Sequence, residues 1–133
     1  VGLSLIVGCC AVPVKAELPT KDYVTLKQLQ ASVDAQAANE NLGAVHVVFS
    51  AGWCASCTQL RRLLGQAEIA DRVFFADVDE TWAFLLSRDV GATGVPTLVT
   101  FDMGNPSEPR FGVNSILVYL IANVESRHEN RTR

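Results

Sequence analysis

Metal-binding and nucleic-acid-binding side chains are scarce in this chain, and each shortage weighs against a class of function. Of 133 residues, two are histidine, one is methionine and four are cysteine. A tetrahedral zinc site needs four ligands. Beyond one Cys-x-x-Cys pair the candidates are Cys9, Cys10, His46 and His128, none of them in a second Cys-x-x-Cys or a His-x-x-x-His unit. Zinc is therefore weakly supported, and no residue is assigned as a metal ligand. Lys and Arg are not clustered and the net charge is −3, so there is no basic field for nucleic acid. No internal repeat is present. The longest uncharged apolar run, residues 1–14, falls short of the ~20 residues that a membrane-spanning helix needs.

What is present is enough for one domain with a short N-terminal extension: 49% of the residues are hydrophobic, ample for a core. The chain is organised around residues 49–57, Phe-Ser-Ala-Gly-Trp-Cys-Ala-Ser-Cys. The preceding residues 44–49 are rich in β-branched side chains and bounded by Gly43 and Gly52, which predicts a buried strand. After the motif, Leu60, Leu63 and Leu64 share one face at helical spacing, with Arg61 and Arg62 elsewhere. Cys54 thus falls at a helix start, where unpaired N–H groups and the positive end of the helix dipole favour a thiolate over a thiol. Cys57 lies about one turn further along the same face, within reach of a small disulfide ring. Half of a zinc site, or a structural disulfide, are the plainer readings of the same spacing.

A second motif narrows the choice. Residues 94–101, Gly-Val-Pro-Thr-Leu-Val-Thr-Phe, predict another apolar strand with proline at its first position, where the missing N–H removes no ladder bond. With Trp53-Cys54-Ala55-Ser56-Cys57 and Gly94-Val95-Pro96-Thr97 in this order, residues 22–126 resemble the thioredoxin superfamily. The resemblance implies an α/β thioredoxin-like fold, a central mixed β-sheet with helices on both faces. It also implies a cis Val95–Pro96 bond beside the cysteines and Val95 backbone groups that pair with a substrate chain. Cys54 and Cys57 become the catalytic pair, with Trp53, Val95 and Pro96 as substrate-positioning residues. No cofactor is expected beyond the Cys54–Cys57 disulfide, and the expected partners are protein disulfides and dithiols.

The sequence departs from the family where many thioredoxins carry a buried Asp and a Lys; the matching positions here are Val48 and Phe75. Deprotonation of Cys57 then falls to water, the substrate, or groups such as Asp77 or Glu80. His46 alternates with Val45 and Val47 in its strand and reads as a core or surface histidine before a catalytic base. Ala55-Ser56 replaces the Gly-Pro of cytosolic thioredoxins. With Trp53 and the N-terminal extension, it makes the chain look more like the C-terminal domain of DsbD-type interchange proteins or a tethered periplasmic thioredoxin.

Residues 1–16 resemble a secretory signal or membrane-anchor remnant. The chain starts at Val1 without Met, which points to truncation or a non-standard start codon. Ile6-Val7-Gly8-Cys9 resembles a lipobox, making Cys9 a lipidation candidate; Val14-Lys15-Ala16 resembles a cleavage site, and the tail of a larger protein's transmembrane helix is a third reading. All three place the domain outside the cytosol or at a membrane, here read as the bacterial periplasm. A buried segment with two inert thiols is the plain alternative.

Elsewhere, residues 17–21 read as a linker, 22–24 as a short strand, and Thr25 with Gln28 as a capping box opening a helix with Leu26, Leu29, Val33 and Ala37 inward. Gly65 and Gln66 should break the second helix, before a short turn over 67–71 and a strand over 72–78. Thr81 is expected to cap a third helix with Trp82, Leu85 and Leu86 inward, stopped by Gly91. Trp82 and the Phe side chains are expected in the core. A turn over 103–106, an edge strand near 110–113 and a last helix from Asn114 or Ser115 follow. That helix turns Ile116, Leu117, Leu120, Ile121 and Val124 inward, and residues 127–133 form a polar tail, with fraying expected from Glu125. A monomer is expected. Two functions stand: a dithiol–disulfide oxidoreductase, and a non-catalytic module using the same cysteines as soft ligands for copper(I) or as a partner surface.

Overall fold

The structure, a computed structural model, describes the backbone of residues 23–132 and the side chains of residues 23–124. The anchor segment 1–16 with Cys9 and Cys10, the linker 17–21 and the side chain of His128 lie outside these residues.

Helix α1 (Leu26–Ala38) opens with the reciprocal capping box: Gln28 N–H donates to Thr25 Oγ1 at 3.1 Å, and Thr25 N–H to Gln28 Oε1 at 3.0 Å. A 3₁₀ turn, Glu40–Leu42, leads into strand β1 (Val45–Ser50), all six residues of which are buried. Helix α2 (Ala55–Gln66) follows, then strand β2 (Val73–Asp77), helix α3 (Thr81–Asp89), strand β3 (Thr97–Asp102), two two-residue strands β4 (Asn105–Pro106) and β5 (Arg110–Phe111), and helix α4 (Val113–Thr132). The sheet order is β2-β1-β3-β4, with β5 also on β3. β1 pairs parallel with β2 (Val48 opposite Phe75) and antiparallel with β3 (Val48 opposite Leu98), so the sheet is mixed.

Alternation along the strands divides the core between the two faces. Val45, Val47 and Phe49 of β1 join Val99 and Phe101 of β3 under α1 and α3, through Leu29 and Ala83. Val48 and Leu98 face the other way, with Leu60 and Leu64 of α2 and Ile116, Leu120 and Val124 of α4. Both layers therefore depend on β1, and the loop leaving it leads to Cys54 at the start of α2.

Several local expectations change. Of the first strand expected over 22–24, Tyr23 makes an isolated parallel bridge to Phe75 and Val24 N–H donates to Phe75 C=O at 2.9 Å, while residue 22 lies outside the described residues. Helix α2 runs through Gly65 to Gln66: glycine lowers helix propensity by about 1 kcal/mol, less than packing of the Leu60 and Leu64 face recovers. The N-cap of α3 is Glu80, without a side-chain cap, and Thr81 is its first helical residue. The turn over 103–106 is tighter than expected. Met103 (φ 53) and Gly104 (φ 84) form it alone between paired Asp102 and Asn105, the positive φ pair that suits a two-residue hairpin.

Leu26, Leu85 and Ile121, expected inward, are exposed, as are Phe84 and Phe111. In α3 the buried pair is Ala83 and Ser87, one turn apart. These small side chains set the helix down on the sheet, and that orientation turns Phe84 and Leu85 (51% exposed) outward while Trp82 and Leu86 pack at the margin of the core. Gly91 ends the helix as expected, at φ +85, a backbone conformation that L side chains rarely adopt. The backbone of residues 125–132, expected to fray, continues α4. No helix among the described residues is long and apolar enough to cross a membrane.

Candidate active site

The site lies where β1 hands over to α2. Cys54 is the N-cap of α2, with extended backbone (φ −95, ψ 111), and its Sγ accepts the Cys57 N–H at 3.1 Å. A sulfur at that position faces the unsatisfied donors of the first turn, the arrangement that stabilises a thiolate. Cys54 and Cys57 are joined in a disulfide with Cα atoms 5.2 Å apart, and no free cysteine remains among the described residues. Cys54 is 8% exposed and Cys57 4%, so the sulfur on the deeper turn is the better shielded.

Two further segments close round the pair. Ala51 packs with the cysteines, and Val78 and Val95 pack against that cluster. The Val95–Pro96 peptide is cis and Pro96 is buried; the packing of Val95 puts the loop after α3 beside the disulfide. Among the described residues neither the N–H nor the C=O of Val95 has a hydrogen-bond partner, whereas Pro96 C=O accepts from Gly112 N–H at 3.3 Å. Trp53, 70% exposed, donates its indole N–H to Asp79 Oδ1 at 3.2 Å, which holds a large apolar surface at the mouth of the site. Alongside runs an open, mainly apolar cleft of about 350 Å³, lined by Trp53, Val78 and Val95 together with Phe84 and Arg88 of α3.

A family model described as Thioredoxin matches residues 24–122. The chain belongs to the thioredoxin family. No curated protein matches it. Among solved structures, the oxidised C-terminal domain of DsbD from Neisseria meningitidis is 23% identical, with a TM-score of 0.57 over 76% of this chain and 97% of that domain. The thioredoxin Deadhead of Drosophila melanogaster is 18% identical, with a TM-score of 0.59 over 76% of this chain and 95% of that one. Thioredoxin NaTrxh of Nicotiana alata is 19% identical, with a TM-score of 0.57 over 74% and 86%. At these identities the structural likeness concerns the fold. Family membership together with the bonded Cys54–Cys57 pair makes the chain a thiol–disulfide oxidoreductase.

All five domain residues singled out by sequence, Trp53, Cys54, Cys57, Val95 and Pro96, come together here. Of the acids considered for Cys57, Asp77 Oδ1 accepts the Asp79 N–H at 3.0 Å, and Glu80 is exposed at the start of α3. His46 is buried, with Nδ1 2.9 Å from Thr100 Oγ1 and its ring edge-on to Tyr119, a core histidine. Sequence reasoning missed Asp79 as the indole partner, and Phe84 and Arg88 as cleft walls. The one available signal was a phenylalanine flanking the small residues Ala83 and Ser87. Among the described residues no group of three or more His, Cys, Asp or Glu side chains is placed to hold a metal ion.

Proposed function

We propose that this domain reduces disulfides in protein partners outside the cytosol, with the Cys54–Cys57 pair as its only redox group. The observation that carries the reading is Cys54 at the N-cap of α2 with the unpaired Val95 backbone packed beside it. An incoming chain can pair with Val95 while its disulfide meets Cys54, and Trp53 and the cleft take up flanking apolar side chains. In the reduced domain the Cys54 thiolate attacks the partner disulfide, forms a mixed disulfide and releases one partner thiolate. Cys57 then loses its proton, attacks Cys54 Sγ, closes the ring and releases the second partner thiolate. Two electrons pass to the partner, which takes up two protons.

Localisation rests on residues 1–16. Their apolar run, with Cys9 as the lipidation candidate, supports a domain tethered to the outer face of a bacterial inner membrane, where we take it to act as a monomer. The resemblance of Trp53 to Cys57 to DsbD-type C-terminal domains agrees with that placement. The decisive measurement is the potential of the Cys54–Cys57 couple against glutathione, together with insulin reduction driven by dithiothreitol. A reductase is expected nearer the value of about −270 mV for thioredoxin than about −120 mV for DsbA. A potential at the oxidising end, or no insulin reduction, rejects the proposed direction.

A further inference from the structure

Val48 and Phe75, both uncharged, face each other across the β1–β2 ladder and are buried. A cation is supplied by α2 itself. Arg61 lies four residues after Cys57, one turn along the same helix. Side chains four apart share a face and lean toward the helix N-terminus, so the Arg61 stem runs back over the turn that carries Cys57. Arg61 is half-buried, with its Nη2 out of contact with solvent. Its Cζ stands 4.2 Å from the centroid of the Phe75 ring and 4.7 Å from that of Tyr23, and two aromatic faces hold it. Tyr23 is fixed in turn by its bridge to Phe75 and by a 3.4 Å contact between its hydroxyl and Ser50 Oγ, at the buried end of β1 from which the Cys54 loop departs.

We propose that Arg61 is an electrostatic positioning residue for the exchange, stabilising the Cys57 thiolate and so governing the step that resolves the mixed disulfide. The proposal rests on the thiol–disulfide reading above. In that step Cys57 gives its proton to water or to the partner thiolate just released, and its sulfur lone pair forms the bond to Cys54 Sγ while the partner sulfur leaves with the bonding pair. Arg61 takes no proton, since a guanidinium keeps its charge throughout. It lowers the energy of the anion that must form, by a positive charge carried one helical turn from the buried Cys57. Among the described residues, ionisable groups on elements around the pair include Tyr23, at Ser50; Asp77, on the Asp79 N–H; Asp79, on the Trp53 indole; and Arg88, on the cleft wall.

The test titrates the Cys57 thiol by thiolate absorbance in the reduced Cys54→Ser protein, with and without Arg61→Met. Methionine keeps an apolar stem against both rings and removes the charge. The midpoint is expected to rise by about one pH unit, a tenfold weaker acid. In the dithiol protein Arg61→Met should slow resolution of a mixed disulfide roughly tenfold at neutral pH and leave the first attack of Cys54 on a nitrobenzoate disulfide within about twofold. An unchanged Cys57 midpoint in a variant that melts with its parent overturns the proposal, as does equal slowing of both steps. Arg61→Lys gives a second reading should Arg61→Met not fold: with charge kept, the midpoint stays within about threefold, and a tenfold weakening overturns the electrostatic role. The titration needs no partner protein, so a domain that fails to reduce insulin refutes the proposed function while leaving this result readable.

Discussion

Trp53 shows what a single exposed side chain can contribute without contributing to stability. Its ring is mostly in solvent and is fixed by one hydrogen bond to Asp79. Trp53→Ala should therefore change the unfolding free energy by about 0.5 kcal/mol or less, the usual range for surface substitutions, and urea titration checks this. Exchange with protein disulfides should fall several-fold, because a flanking apolar surface is lost, whereas exchange with a small disulfide that never reaches the cleft should change little. Equal losses on both substrates would place Trp53 in the chemistry and not in docking. At this scale the sequence was highly legible for the sulfurs, since helix-start position and spacing follow from local pattern. It was poorly legible for Arg61, whose partners Tyr23 and Phe75 stand 38 residues before it and 14 after it and meet it only in the folded chain.

The caps of α1 carry the clearest prediction among the elements. Thr25 and Gln28 satisfy two backbone N–H groups reciprocally at an exposed helix start. Thr25→Ala should cost about 1 kcal/mol and leave redox activity intact, as thermal unfolding and insulin reduction would show. Capping boxes, strand alternation and Gly91 were legible because each is a rule about near neighbours. The inward face of α3 was not. Periodicity gives a helix its apolar direction but does not say which stripe a sheet will accept. Close approach here selected Ala83 and Ser87 and left Phe84 and Leu85 outside. Two exposed apolar residues on a helix wall are a modest loss for folding, and Phe84 becomes a wall of the cleft beside the disulfide. The edge strand expected near 110–113 is β5, whereas the two-residue strand β4 was beyond local pattern, since it exists only through pairing with β3.

For the molecule as a whole, both core layers meet on β1, and the layer under α2 and α4 holds the active-site helix in place through Leu60, Leu64, Ile116 and Leu120. Leu120→Ala empties a fully buried site far along the chain from the cysteines. It should cost about 2–5 kcal/mol, a large share of the 5–15 kcal/mol that domains of this size possess, and lower the melting temperature accordingly. The Cys54–Cys57 potential in the variant that remains folded should stay near that of the parent. The central place of β1 also bears on how the chain is made. His46 meets Val73 after a separation of 27 residues but meets Thr100 only after 54, so the β1–α2–β2 unit closes the shorter loop. On a ribosome that unit is complete, with both cysteines at its rim, before β3 has been synthesised. For that interval the nascent domain carries its sulfurs without Val95 beside them and with one edge of β1 unpaired. A chain stalled before residue 95 should therefore be alkylated at Cys54 and Cys57 faster than the finished protein, and should need holding by a chaperone until the last strands arrive.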